Sequence, residues 1–270
     1  MGEPDGEHYR IAVKRQDDGR GGSLAMWRLA AGDRLVVSAP QNHFPLDTRA
    51  PDYLLVAGGI GITPMVMMAQ RLAARGAPVR MIYSARSAAE LAFAEELKPV
   101  LGDRLGLHAG DRGEHADLAA AIDGLADGGL LYTCGPVPML DAIKLAWSRA
   151  GRPQQDLRFE TFGSGGSHAA QEFAVHVPRH GLQITVPVGS SLLETLEHHG
   201  IEAVSDCRRG ECGLCTLDVL SLDGEIDHRD VFLSDEEKHS NTRICACVSR
   251  VVGSITLDTS YRPDTLPTHA

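Results

Sequence analysis

Three cysteines crowd one short stretch of this chain, Cys207, Cys212 and Cys215 within D-C-R-R-G-E-C-G-L-C-T. No other feature restricts the fold as much. Thiolates are metal ligands, and C-x4-C-x2-C is the ligand spacing of a plant-type [2Fe–2S] cluster. A loop of this kind must aim three sulfurs inward while its backbone N–H groups turn toward the cluster. Gly210 and Gly213 supply the backbone freedom for that bend. Arg208 and Arg209 add positive charge beside an anionic centre. Because such a cluster takes one electron at a time, the chain reads as an electron carrier or a reductase.

The spacing requires a fourth cysteine further along, and both Cys245 and Cys247 follow. Ferredoxin-like sequences close the site with a C-V pair, so Cys247-Val248 is the expected closure and Cys245 a buried neighbour. The competing readings are buried thiols, zinc or disulfides. Zinc pairs its ligands as two C-x2-C units, and Cys245-Ala246-Cys247 is too tight for the second. Disulfides suit an oxidising compartment, whereas the N-terminus MGEPDGEHYR is polar and has no signal peptide. The expected location is therefore the cytoplasm. A net charge of −10 argues against nucleic acid or an anionic membrane as partner. No apolar run approaches the ~20 residues of a membrane-spanning helix.

With 270 residues the chain has room for two or three small domains. Residues 1–49 read as strand-like, with apolar runs at His8–Lys14 and Asp33–Ala39 around a turn-rich Asp17–Ser23. Residues 50–162 alternate strand and helix, which predicts a doubly wound parallel sheet covered on both faces. Expected strands are Tyr53–Ala57, Val79–Tyr83, Leu107–Ala109 and Leu130–Cys134; expected helices are Thr63–Arg75, Ala88–Leu97, Ala116–Leu125 and Val137–Ala150. Residues 163–171 are a linker opening on G-S-G-G. Residues 172–260 give a hairpin of Glu172–Val177 and Leu182–Val186, a helix Ser191–His198 capped by Ser190, the cysteine loop, and strands Thr216–Leu220 and Ser254–Leu257. That order fits a small ferredoxin-like β-grasp module. Residues 261–270 form a polar tail.

Directly after the first parallel strand comes Gly58-Gly59-Ile60-Gly61-Ile62-Thr63-Pro64. Strand, glycine-rich turn and helix is the context a phosphate-binding turn requires. Thr63 suits a helix cap and Pro64 the first helical position. The match to G-x-G-x-x-G is partial, since Pro64 stands where the last glycine would be, and alone it is equally consistent with a structural turn. Cys134-Gly135-Pro136 ends another expected strand and should face the same crevice, because ligands of open α/β sheets lie beyond the carboxyl ends of the strands. Taken by itself, Cys134 reads as a small core residue. Ser84 and Arg86 stand at the end of the second strand with no acidic residue to grip a ribose hydroxyl, which leaves NADH and NADPH both open.

Together, GGIGITPM, YTCGP, FETFG at Phe159–Gly163, CRRGECGLC, DHRD at Asp227–Asp230 and CVSR at Cys247–Arg250 resemble the phthalate dioxygenase reductase and vanillate demethylase reductase family over nearly the whole chain. The resemblance implies a flavin-binding β-barrel, of which residues 1–49 would be a remnant, a pyridine-nucleotide domain and a C-terminal ferredoxin domain. It implies electron flow from NADH through FMN to the [2Fe–2S] cluster and on to a Rieske-type terminal oxygenase. It assigns Ala12, Val13, Lys14, Gly21, Gly22 and Ser23 to the flavin and its phosphate, Phe162 to the flavin ring, and Thr63 and Cys134 to the nicotinamide. Asp227–Asp230 reads as a structural turn near the cluster loop, and the outer face around Arg208–Glu211 as the docking face for the oxygenase. The family's barrel begins before this chain does and holds an R-x-Y-S motif that is absent here, so Met1 is expected to lie within a longer reading frame. The alternatives are a flavin-free ferredoxin-like carrier, or a diaphorase acting on small acceptors.

Overall fold

The structure, a computed structural model, describes residues 8–17, 21–37, 39–40, 42–162 and 166–259. It divides into two compact units, Met1–Phe162 and Gly163–Ala270. The expected tail beyond residue 260 and part of the G-S-G-G joint (163–165) lie outside the described residues.

In the first unit, α1 (Gly22–Trp27) precedes β1 (Tyr53–Gly58), α2 (Ile62–Ala74), β2 (Val79–Ala85), α3 (Ala94–Leu101), β3 (Leu105–Ala109), α4 (Leu118–Asp123), β4 (Leu130–Cys134), α5 (Val137–Arg149) and β5 (Leu157–Glu160). All five strands are parallel, in the order β3-β2-β1-β4-β5. β1 is buried at every residue because both of its faces are covered. Tyr53, Leu55 and Ala57 pack with Ile62, Met65, Val66, Ala69 and Leu72 of α2. Leu54 and Val56 join Ile143 and Trp147 of α5 on the opposite face. Full burial of each such aliphatic side chain is worth about 1.5–3 kcal/mol, and this central strand anchors both layers.

The N-terminal block departs from expectation. Among the described residues of 8–52 no strand forms, neither at His8–Lys14 nor in the described part of Asp33–Ala39; residues 18–20 of the expected turn lie outside the described residues, and its last two, Gly22 and Ser23, open α1. A strand persists only where a neighbour completes its hydrogen-bond ladder, and none of these segments has one. Ion pairs tie the segment to the unit: Arg10 grips the Glu96 carboxylate with two hydrogen bonds, at 2.8 and 3.2 Å. The helix expected at Ala88–Leu97 is a 3₁₀ turn, Ala88–Glu90, and then α3, because Phe93 adopts a positive φ of 63° and breaks the helical path. α4 is shorter than expected, capped by the Asp117 carboxylate, which accepts the Ala120 N–H at 2.9 Å.

The second unit holds β6 (Phe173–Val177), β7 (Leu182–Val186), α6 (Leu192–His198), β8 (Thr216–Asp227), α7 (Asp235–Ser240), β9 (Arg243–Cys245) and β10 (Arg250–Asp258). Its sheet runs β7-β6-β10-β8-β9, with β6 and β10 parallel and the other pairs antiparallel. α6 buries Leu192, Leu193 and Leu196 in the core with Val175, Ile184, Leu217 and Ile255. Its cap is Ser191, not Ser190: the Ser191 hydroxyl accepts the Glu194 N–H at 3.1 Å, and the Glu194 carboxylate accepts the Ser191 N–H at 2.8 Å. β8 extends seven residues past the expected end at Leu220. Asp223-Gly224 reads locally as a turn, yet Gly224 pairs with Gly253 of β10. A Cβ on either would fall about 2 Å from the opposite strand's carbonyl oxygen, so this close crossing admits only glycine. Among the described residues no helix is long and apolar enough to cross a membrane.

Candidate functional site

The two turns expected to share a crevice do meet. β1 and β4 pair with Ala57 opposite Cys134, so the chain leaves both strands at the same level. This is also where the strand order changes direction, the position at which open α/β sheets bind ligands. Close packing explains three of the glycines. A Cβ on Gly61 would lie 2.1 Å from the Cys134 carbonyl oxygen, one on Gly58 2.6 Å from Pro136 Cδ, and one on Gly135 2.3 Å from Met139 Cε. Gly59 differs: it has a φ of 53°, and a Cβ there would meet nothing within 4 Å, so its requirement is conformational. α2 begins at Ile62, with Gly61 as N-cap and no side-chain cap. Thr63 and Pro64 therefore fall inside the first turn rather than at the cap, because a 3₁₀ turn, Gly59–Gly61, runs straight into the helix. The Ile62 N–H donates to carbonyl oxygens of that turn and Pro64 has none to give, so it is the glycine turn and the dipole of α2, not free N–H groups of the helix start, that favour an anion here.

One residue of this turn was not legible in the sequence. Tyr83, on β2, is fully buried and places its hydroxyl 3.2 Å from the carbonyl oxygens of both Gly59 and Glu90. Burial pushes its pKa up to about 12, so the hydroxyl keeps its proton and donates. Nothing in a strand tyrosine's local pattern announces such a tether. Arg86 follows β2, and its carbonyl accepts the Asp111 N–H at 2.8 Å. Cys134 is buried. A cavity of about 700 Å³ lined by residues including Phe44, Asp47, Arg49, Tyr132, Arg158 and Phe159 contains none of the expected binding residues.

The N-terminal candidates are brought together in two short segments. The Trp27 indole N–H donates to the Val13 carbonyl at 3.0 Å, next to Ala12 and Lys14. Lys14 Nζ lies 3.0 Å from the Glu90 carboxylate. Gly21, at φ 91°, and Gly22 lead into α1, and the Ser23 hydroxyl accepts the Gln16 N–H at 3.0 Å and sits 3.2 Å from its carbonyl. Phe162 lies two residues beyond β5 and is 52% exposed.

In the second unit the cysteine loop bends through positive φ at Arg208, Gly210 and Gly213. Alternating left-handed positions turn successive N–H groups to one side. The N–H groups of Arg209 and Cys212 both point at Cys207 Sγ, each at 3.4 Å. Burial raises the Cys207 thiol, but these N–H groups and that of Glu211 outweigh it and hold the thiol below its ordinary range. Cys247 Sγ lies 3.1 Å from Cys215 Sγ and takes a further hydrogen bond from the Gly210 N–H. Hydrogen bonding among the Cys215, Cys245 and Cys247 thiols holds Cys215 low against its burial and, with burial, pushes the other two up. Four thiols, with N–H donors aimed at the sulfurs of Cys207, Cys215 and Cys247, form a donor set suited to an iron–sulfur centre. Among the described residues no three of them close on a point as a single-ion site would. Cys245 is completely buried and, like Cys247, its thiol meets Cys215 of the loop.

The loop is gripped from two sides. A Cβ on Gly213 would strike the Phe232 ring at 2.3 Å, and one on Gly210 would lie 2.7 Å from Val248 and 2.9 Å from Asp230. Asp227–Asp230 is thus a structural turn against the loop. Its Asp227 carboxylate binds Arg229 at 2.5 Å and accepts the Ser167 N–H at 2.7 Å. Arg208 forms two hydrogen bonds with Glu197, at 2.6 and 3.2 Å, and Arg209 lies 3.6 Å from Glu211, so both expected docking cations have internal acidic partners.

Two protein families match the chain: a 2Fe-2S iron–sulfur cluster binding domain over residues 175–252 and an oxidoreductase NAD-binding domain over residues 55–106. The chain is 40% identical over 252 residues to the heme-dependent oxidative N-demethylase beta subunit of Ectopseudomonas mendocina, covering 93% of this chain and 79% of the relative. It is 38% identical over 250 residues to phthalate dioxygenase reductase of Burkholderia cepacia, covering 90% and 76%. A solved structure of phthalate dioxygenase reductase, described as modular for electron transfer from pyridine nucleotides to [2Fe–2S], superposes with a TM-score of 0.75 at 36% identity, covering 91% of this chain and 77% of that one.

Proposed function

The chain belongs to the phthalate dioxygenase reductase family, and on that premise we propose which of its residues carry electrons from NADH to a terminal oxygenase. It is an NADH-dependent oxidoreductase, the reductase component of an oxygenase system, with NADH, FMN and a [2Fe–2S] cluster as its cofactors. When bound, flavin would supply the chemistry that matches the electron pair of NADH to a cluster that takes one electron at a time. The protein's own task is placement, and no side chain need act as acid or base.

Cys207, Cys212, Cys215 and Cys247 hold the cluster. The observation that supports this best is the convergence of the Arg209, Gly210 and Cys212 N–H groups on Cys207 and Cys247. Gly58, Gly59, Gly61, Thr63, Pro64, Arg86, Cys134, Gly135 and Pro136 would hold the nucleotide, on the strength of the glycine turn and the α2 N-terminus at the strand switch point. Ala12, Val13, Lys14, Gly21, Gly22, Ser23 and Phe162 serve the flavin. The oxygenase is of the Rieske type, and the chain works in the cytoplasm, where its thiols stay reduced.

Anaerobic addition of NADH to the purified chain tests this. Bleaching of the iron–sulfur absorption is the expected result, and an unbleached, iron-loaded chain refutes it. Reconstitution with a Rieske oxygenase and, separately, with a heme-dependent demethylase then decides the partner. Turnover with the heme protein alone would overturn the Rieske assignment, and the 40% identical N-demethylase subunit makes that comparison necessary.

A further inference from the structure

Asp230 lies at a junction that the ligand set does not use. Its side chain is completely buried. One carboxylate oxygen accepts the Leu233 N–H at 2.8 Å and the other the Ser249 hydroxyl at 3.2 Å. Ser249 stands two residues beyond Cys247, and its N–H donates to the Cys245 carbonyl at 3.0 Å. Ser249 Oγ also accepts the Arg229 N–H at 3.1 Å. On the other side, the N–H of the next residue, Val231, donates to the Gly210 carbonyl at 3.0 Å, and the Asp230 backbone sits where a Gly210 side chain would be. One residue therefore joins the loop of three cysteines to the segment that bears the fourth.

The junction is also charged. His228 Nδ1 lies 3.6 Å from the carboxylate, and Lys238 Nζ donates to the Asp230 carbonyl at 2.8 Å. Burial raises the Asp230 carboxyl, yet His228, the Leu233 N–H and Lys238 outweigh it and keep the group ionised. A buried anion is poorly screened, and a neighbouring centre that gains an electron gains negative charge. Repulsion between the two opposes reduction.

We propose that Asp230 is a positioning residue for the cluster, bracing the Gly210 turn against the Ser249 segment and biasing the centre toward its oxidised state through its buried charge. This rests on the assignment of Cys207, Cys212, Cys215 and Cys247 as ligands. Loss of a purely structural brace would lower iron content without a directed change in potential; loss of the charge shifts the potential in one direction.

The test is a redox titration of the iron-loaded full chain, followed by electron paramagnetic resonance, for wild type, D230N, S249A and K238M. D230N keeps the shape and removes the charge, and its reduction equilibrium should move about tenfold toward the reduced form, ~59 mV for one electron. S249A keeps the charge and should move the midpoint much less. K238M strips a compensating cation and should move it the opposite way, which decides the matter even if D230N fails to retain iron. An unmoved midpoint in iron-loaded D230N, an S249A shift as large as that of D230N, or a K238M shift toward the reduced form overturns the proposal. Iron retention in Cys247→Ser and Cys245→Ser reports on the ligand assignment and the midpoints on Asp230, so the two failures are distinguishable; a wild type without a cluster overturns both.

Discussion

Replacing Gly61 with alanine is the sharpest test of how the nucleotide turn is built. Its φ of −61° suits any residue, so the substitution strains no torsion. The cost is steric. The new Cβ would sit 2.1 Å from the Cys134 carbonyl oxygen, 2.5 Å from its carbon and 2.9 Å from the Gly135 nitrogen, all backbone atoms that cannot rotate away. Ordinary contact needs roughly 3.5 Å, so the two turns must part by more than ~1 Å. Overpacking of this kind costs about 1–3 kcal/mol and occasionally more; with backbone as the obstacle, about 3 kcal/mol is expected. That corresponds to a fall of roughly 6–12 °C in melting temperature for a unit of this size. Gly59→Ala is the control: it meets nothing within 4 Å and costs only its left-handed torsion, about 1–2 kcal/mol. Urea and thermal unfolding of both variants, with steady-state NADH oxidation, measure the difference. Displacement of the turn by about 1 Å should also lower kcat/KM for NADH at least tenfold in Gly61→Ala, since small misplacements cost up to ~100-fold. A Gly61→Ala protein as stable as wild type, or more stable than Gly59→Ala, would refute the packing argument.

Cys247→Ser should lose most of its iron while Cys245→Ser retains it, as iron and sulfide analysis with the visible spectrum will show; the reverse result would exchange their roles. Tyr83→Phe removes the hydroxyl that holds Gly59 and should destabilise the first unit by about 1 kcal/mol at neutral pH. Because the folded-state pKa of Tyr83 is raised to about 12 from 10.0, its contribution is complete below pH ~10 and is lost as the pH rises from there through about 12. The stability gap between wild type and Tyr83→Phe should therefore narrow across that window, and a constant gap would contradict the assignment. Ser191→Ala removes the cap of α6 and should cost the second unit about 1 kcal/mol, seen as a lower urea midpoint, whereas Ser190→Ala should cost little.

Much of the fold was legible because its signals are local. The continuous apolar run of β1 announced a strand buried on both faces, and β4 ends at Cys134 as its pattern suggested. α7 went unread although Ser234 and Glu237 form a capping box, a signal present in the sequence. The strands expected in residues 8–39 could not be judged locally, since a strand depends on a partner elsewhere in the chain. β8 failed for a related reason: Asp223-Gly224 carries turn chemistry, and only the paired Gly253 keeps it in the ladder. The choice of Ser191 over Ser190 as cap was likewise set by where α6 docks.

By itself the sequence determined the iron–sulfur cofactor class and the alternation of strand and helix from β1 to α5. Cysteine spacing along a short loop fixes how many sulfurs converge, and hydrophobic period fixes strand and helix. The tertiary structure alone decided what lies against those loops: Tyr83 beneath Gly59, Cys134 against Gly61, Asp230 between Gly210 and Ser249. These contacts join residues far apart in the chain, and no local propensity encodes a distance that only packing creates.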